Sequence, residues 1–268
     1  MAHIKLKQQD AKALAEGYSR AFRRVEIGSI LSFAVLMVLL GVKVAPHGGE
    51  SPWLLLAAML CGYLAADFVS GFVHWLADTW GSLSTPLVGK TLIRPFREHH
   101  VDEKAMTRHD FVETNGANCL ISLPAALVAL AIPLGPGHWH WLRLFGATFL
   151  GAMIFWVMAT NQFHKWSHMD EPPTLVAWLQ RLHLILPPAH HAIHHTAPFA
   201  KYYCITVGWL NWPLTKLHFF PTLERMMTAT LGWLPRQDDI GTEAALAIAP
   251  GIENEQKHST LVAAPPQH

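Results

Sequence analysis

Cysteine is scarce and scattered. Cys61, Cys119 and Cys204 are the only three in 268 residues, and no two of them form a CxxC pair. They offer neither a disulfide framework nor an iron–sulfur or zinc motif. Charge is thin as well, at 15% of residues against roughly 25% in soluble domains. The net charge of +1 provides no bulk basic character, which argues against nucleic acid as a partner. There is no GxGxxG loop and no CxxCH haem-attachment motif, and the order Glu98-His99-His100 is not the HExxH of a zinc peptidase. A short signal-peptide n-region is also missing. The first 26 residues carry Lys5, Lys7, Lys12, Arg20, Arg23 and Arg24, too long and polar a stretch for one. Ala13, Leu14, Gly17, Tyr18, Ala21 and Phe22 recur at helical spacing there, which fits an amphipathic helix on a membrane surface or a solvated helix.

What the chain has in quantity is apolar sequence, 51% of it. A bilayer core about 30 Å thick needs ~20 apolar residues of helix to cross it. Residues 27–45, 53–77, 117–134 and 144–160 meet that requirement, and the expected fold is an all-α, four-transmembrane-helix bundle with a cytoplasmic histidine-rich cap. Of the 20 Lys and Arg residues, 18 fall in the N-terminal segment, the 78–116 loop and the region after residue 161. Only Lys43 and Arg143 remain for the other side. The positive-inside rule therefore places both termini in the cytoplasm, with Trp53 and Trp141 at the outer interface. Residues 1–26 read as a lead-in, 27–235 as the four-span domain and 236–268 as a disordered tail.

The second abundance is histidine, at 18 residues. The span register puts 15 of them on the cytoplasmic side and leaves His47, His138 and His140 outside. His74/Asp78 and His164/His168 are i,i+4 pairs, and His191, His194 and His195 form an HxxHH set. On a helix such residues share one face and can grip one ion. With His99 and His100 the candidate ligands are eight imidazoles and one carboxylate. One zinc takes four ligands and one haem takes two, so nine donors suit two ions that keep positions open for oxygen. Imidazole accepts iron, zinc, copper or nickel, and the two-ion count favours iron.

Around these ligands stand possible supporting groups. Asp67 lies within the second span, where a carboxylate costs about 2.5–3.5 kcal/mol on insertion scales. It either orients a ligand imidazole or locks two helices together, and Gly71 on the same stripe permits close approach of a neighbour. Asn115, Asn161 and Asn211 are placed to face the centre. His109, His183, His190 and His218 are supporting or interfacial candidates, His190 foremost because it lies four residues before His194. Residues 174–186 (TLVAWLQRLHLIL) have the spacing of a short interfacial helix, either a lipid entrance or a surface anchor. Residues 81–91 and Pro187-Pro188 are turn-rich connectors.

The runs HWLADTWGS (74–82), IRPFREHH (93–100), TRHDFVETNG (107–116), NQFHKWSH (161–168), HHAIHH (190–195) and YCITVGWLN (203–211) resemble those of the plasmanylethanolamine desaturase family, with plastid acyl desaturases more distant. The likeness spans about residues 67–239 and keeps the motif order. It implies removal of two hydrogens from C1 and C2 of an sn-1 O-alkyl chain on an ethanolamine phospholipid, which makes a vinyl ether. It also implies that His74, Asp78, His99, His100, His164, His168, His191, His194 and His195 hold two iron ions, with O2 as co-substrate. No side-chain base can open such a C–H bond, and a metal must carry the chemistry. Two electrons come from the substrate and two from outside. The chain holds no redox motif of its own, so an external donor is expected, by analogy with the family of cytochrome b5 or ferredoxin type. The site residues alone leave an acyl desaturase, a hydroxylase or a metal-binding membrane regulator open. The expected host is a bacterial inner membrane or the endoplasmic reticulum.

Overall fold

The structure is a computed structural model that describes residues 20–81, 85–86, 93, 96, 103–196 and 199–235. Four long helices dominate: α1 (Arg20–Val44), α2 (Pro52–Thr79), α3 (Phe111–Ala131) and α4 (His140–Ser167). All four are long and apolar enough to cross a membrane. α2 packs along α4, α1 along α3, and α3 along α4. The described residues contain no strand, and the chain is an all-α membrane protein.

The outward faces show why this bundle belongs in lipid. Leu31, Val35, Val38 and Val42 of α1 and Ile121, Leu127 and Val128 of α3 are all exposed. An apolar face of that extent is unfavourable in water and neutral in hydrocarbon. Polar groups turn inward instead: Ser29, Asn115, Ser122, Thr148 and Thr160 are buried between helices. Trp53, Trp139 and Trp141 lie exposed at one end of the bundle, and Trp178, Trp209, Trp212 and Trp233 are exposed on the cap segments. This is the amphipathic belt expected where apolar chains give way to headgroups. At Gly62 a Cβ would come within 2.7 Å of both Ala152 Cβ and the Phe149 carbonyl oxygen, so only glycine lets α2 and α4 approach this closely.

The helices run longer than the apolar stretches suggested. α1 starts at Arg20, α3 at Phe111 and α4 at His140, because polar turns continue each helix past the hydrocarbon. Asp110 caps α3, its Oδ1 accepting from the Glu113 N–H at 3.0 Å. Lys43, the lone cation of the first span, donates to the Leu130 carbonyl at 2.5 Å and to the Ile132 carbonyl, satisfying the open end of α3.

Beyond α4 the chain folds over one end of the bundle as short pieces: α5 (Thr174–Arg181), α6 (Pro188–His191), α7 (Asn211–Lys216) and α8 (Phe219–Leu231). The helix expected over 174–186 stops at Arg181. His183 takes a left-handed φ of 54°, and the chain turns back so that the Leu186 N–H donates to the Thr206 carbonyl at 3.1 Å. Ile185 and Leu186 are thereby buried, while Leu175, Trp178, Leu182 and Leu184 stay exposed at the rim.

Candidate metal centre

α2 and α4 finish at the same rim. The last turns of α2 carry His74 and Asp78, while α4 carries His164 and is followed at its C-cap by His168. α6 lies across them and leads through a turn into His194 and His195. Seven candidate donors meet there in two adjoining groups.

The first group is His164, His168, His191 and His195. Its Nε2 atoms converge. His191 Nε2 lies 2.8 Å from that of His164, 3.0 Å from that of His168 and 2.9 Å from that of His195, and His164 and His168 are 3.1 Å apart. Burial pushes the His168 imidazole down to about 4 and His195 down to about 3, with neighbouring charges adding to the effect. His191 is held well below its ordinary value, first by burial and then by the surrounding rings. All three rings are therefore neutral at pH 7. A single hydrogen on His191 Nε2 can serve one of its three neighbours, whereas a cation among the rings serves every lone pair. Four ring nitrogens converging at 2.8–3.1 Å form a donor set that one cation could bind.

The second group is His74, Asp78 and His194. His74 Nδ1 faces the Tyr203 carbonyl at 3.1 Å, and His194 Nδ1 faces the Lys201 carbonyl at 2.9 Å. A carbonyl only accepts, so each Nδ1 carries a hydrogen, and Nε2 is the atom left to ligate in the neutral ring. Both Nε2 atoms point at Asp78 Oδ2, 3.2 Å from His74 and 3.5 Å from His194. An ion between the two ring nitrogens and the carboxylate would satisfy all three at once. Imidazole rings whose second nitrogen is fixed by a backbone carbonyl are the usual ligand arrangement. The donor set fits a metal.

The two groups touch through ring pairs: His74 and His164 centroids are 5.9 Å apart, and His191 and His194 are 5.8 Å apart. The HxxHH set is divided between them. His191 and His195, four residues apart across the turn that follows α6, serve the four-histidine group, while His194 points to Asp78. His99 and His100 lie outside the described residues.

The supporting candidates take distinct places. Asp67 meets a loop: its Oδ1 accepts from the Val207 and Gly208 N–H groups at 2.9 and 2.8 Å, and its Oδ2 from Leu210 at 3.1 Å. That loop also carries the Tyr203 carbonyl, so Asp67 stands one step behind His74. Asn211 grips the same loop, bonding the Cys204 N–H at 2.7 Å and its carbonyl at 2.9 Å, and its Nδ2 lies 3.1 Å from His190 Nε2. Gly71 makes room for it, since a Cβ there would lie 2.4 Å from Cys204 Sγ. Asn161 bonds α3 instead, through the Thr114 carbonyl at 3.2 Å and Asn118 Oδ1 at 3.3 Å. Asn115 reaches Gln162 at 3.3 Å. His183 is turned away from both groups, its Nδ1 3.3 Å from the Arg181 carbonyl.

Sequence reasoning passed over the carbonyls of Lys201 and Tyr203, which no residue type announces. It also passed over Glu26, buried at 2% exposure inside α1, and Glu224, which accepts from Trp75 Nε1 at 2.8 Å and ties α8 to α2.

A family model described as a lipid desaturase domain matches residues 63–238. The chain belongs to the lipid desaturase family. The matched stretch of this lipid desaturase takes in both donor groups and the cap, and it leaves α1 outside. The chain is 68% identical over 247 residues to a plasmanylethanolamine desaturase of Myxococcus xanthus, covering 91% of this chain and 85% of that one. It is 44% identical over 234 residues to plasmanylethanolamine desaturase 1 of Mus musculus, 86% of each. With the chloroplastic fatty acid desaturase 4 of Arabidopsis thaliana it shares 35% over 180 residues, 65% of this chain and 52% of that one. No solved structure matches the chain.

Proposed function

We propose that this lipid desaturase converts the sn-1 O-alkyl chain of an ethanolamine phospholipid into a vinyl ether, with an iron ion held in each of its two donor groups. The observation that carries the reading is the pair of adjoining donor groups at the rim of a lipid-embedded bundle. The names of the bacterial and mouse relatives point to the ether lipid. Nine ligands are proposed: His74, Asp78, His99, His100, His164, His168, His191, His194 and His195. Imidazole and carboxylate together suit iron.

The overall change removes one hydrogen from each of two adjacent carbons. One O2, two electrons and two protons enter, and two waters leave. When bound, the two irons supply the oxygen chemistry that C–H cleavage requires. The protein's part is positional. The Lys201 and Tyr203 carbonyls hold His194 and His74 in one tautomer, and Asp78 offsets part of the ionic charge. Trp178, Leu182 and Trp212, apolar and exposed at the cap, offer the alkyl chain an approach along the membrane plane.

The outside electrons arrive from a separate donor, of cytochrome b5 or ferredoxin type. A cleft of about 320 Å³, with Glu103, Lys104, Asp170 and Ala189 among its lining, reaches His168 and His195. It is the proposed docking and entry side. Lys and Arg placement supports a cytoplasmic rim, with both termini on that side.

The test is reconstitution. Purified protein in vesicles, given an O-alkyl ethanolamine phospholipid, O2 and a reduced donor, yields a product lighter by two hydrogens that acid cleaves as vinyl ethers are cleaved. Unchanged ether lipid alongside newly unsaturated acyl chains would move the assignment to the acyl activity named for the plant relative.

A further inference from the structure

The opposite end of the bundle carries its own donor cluster. His47 closes the 3-10 turn Ala45–His47, Glu50 follows in the same connection, and His140 is the first residue of α4. At ~1.5 Å rise per residue, His140 stands about 36 Å along α4 from His164, so these three belong to neither group at the rim.

Their geometry is specific. His140 Nδ1 faces the Leu134 carbonyl at 3.1 Å and the Gly135 carbonyl at 3.4 Å. Both oxygens only accept, so Nδ1 bears a hydrogen, and Nε2, the atom left to ligate in the neutral ring, faces Glu50 Oε2 at 3.7 Å. From the other side His47 Nδ1 lies 3.5 Å from the same oxygen. That nitrogen is buried, with no hydrogen-bond partner among the described residues. Two imidazole nitrogens thus aim at one carboxylate oxygen from beyond hydrogen-bond length. The separations are close to the roughly 3.3–3.4 Å edge of a tetrahedron whose ligands lie about 2.0–2.1 Å from zinc. The three donor atoms lie within 4.8 Å of one another. His140 has the carbonyl-fixed second nitrogen that zinc-binding imidazoles show. His47 and His140 side chains are only 19% and 12% exposed, whereas Glu50 at 53% leaves the fourth position open to water.

We propose that His47, Glu50 and His140 bind a zinc ion distinct from the metals at the rim, with water as the fourth ligand. The ion ties the α1–α2 connection to the start of α4. It joins segments that the lipid desaturase match divides, since His47 and Glu50 precede residue 63.

The experiment uses the full chain, purified, iron-loaded and in detergent. It is exposed to zinc, passed through a desalting column and assayed for both metals. The wild type is expected to keep one more zinc per chain than His47→Ala or His140→Ala, at equal iron. Its thermal midpoint rises with zinc, and those of the variants do not. Should either variant lose iron as well, Glu50→Gln reads the same site without changing shape, and its zinc affinity falls at least tenfold. Equal zinc in wild type and all variants, or none retained by any, overturns the proposal and leaves a plain histidine–carboxylate contact.

Discussion

The two ends of the bundle use the same residue types and differ in how those residues are held. At the rim His74, Asp78 and His194 are each exposed by no more than 1%, and the two imidazoles are fixed by carbonyls from a loop that Asp67 and Asn211 bind in turn. At the opposite end Glu50 is half exposed, and one carbonyl-anchored ring carries the geometry. A buried, doubly supported donor set keeps its shape and is shielded from water. An open three-donor set can bind an ion but offers no such seclusion. Histidine count therefore does not distinguish chemistry from attachment; the depth of support does.

The largest expected effect breaks the rim itself. His191 Nε2 is the atom nearest to all three other Nε2 atoms of its group. His191→Ala should lower iron from about two to about one per chain and take desaturation to background, read by metal analysis and lipid mass spectrometry. His140→Ala, at the other end, should leave the iron count as it was.

The next effect tests whether support, rather than ligation, separates the ends. Asp67→Asn keeps the shape but turns an amide N–H toward at least one of the N–H donors of Val207, Gly208 or Leu210. The loop that aims the Tyr203 carbonyl at His74 loosens, and activity or iron affinity should fall by roughly 10–100-fold, the usual cost of losing a ligand's supporting partner. An unchanged iron-binding curve together with unchanged turnover would remove Asp67 from the site and leave it a helix-to-loop tie. A smaller effect comes from Gly71→Ala, whose Cβ meets Cys204 of the same loop. It should destabilise by about 1–3 kcal/mol, as overpacking does, with loss of turnover following the displaced loop.

The sequence made part of this comparison legible. Apolar runs located the spans, and i,i+4 spacing paired His74 with Asp78 and His164 with His168, because a helix converts spacing directly into a shared face. The division of His191 and His195 from His194 was hidden, since it depends on a turn after α6 rather than on a longer helix. The partners of Asp67 were hidden for another reason: they are backbone N–H groups some 140 residues away, with no side-chain signature. At the opposite end, His47 and His140 were visible only as residues left over. His47 and Glu50 stand three residues apart, but nothing in the spacing relates either of them to His140; packing of the connections does.

The smallest effect isolates what fastens the cap to the bundle apart from any metal. Thr160 Oγ1 of α4 and Thr206 Oγ1 of the loop lie 2.7 Å apart, both buried. Thr160→Val keeps the volume and removes the hydroxyl, so the Thr206 hydroxyl loses its cross-chain partner. Side-chain hydrogen bonds inside membrane proteins average about 0.6 kcal/mol, and a loss of that order is expected on unfolding in mixed micelles. Iron content should be unchanged, because the Asp67 and Asn211 bonds both remain and still hold the loop that carries the Lys201 and Tyr203 carbonyls. A drop in iron with Thr160→Val would mean instead that the whole loop moves as one body, and that the support separating the two ends reaches down into the membrane-spanning part of α4.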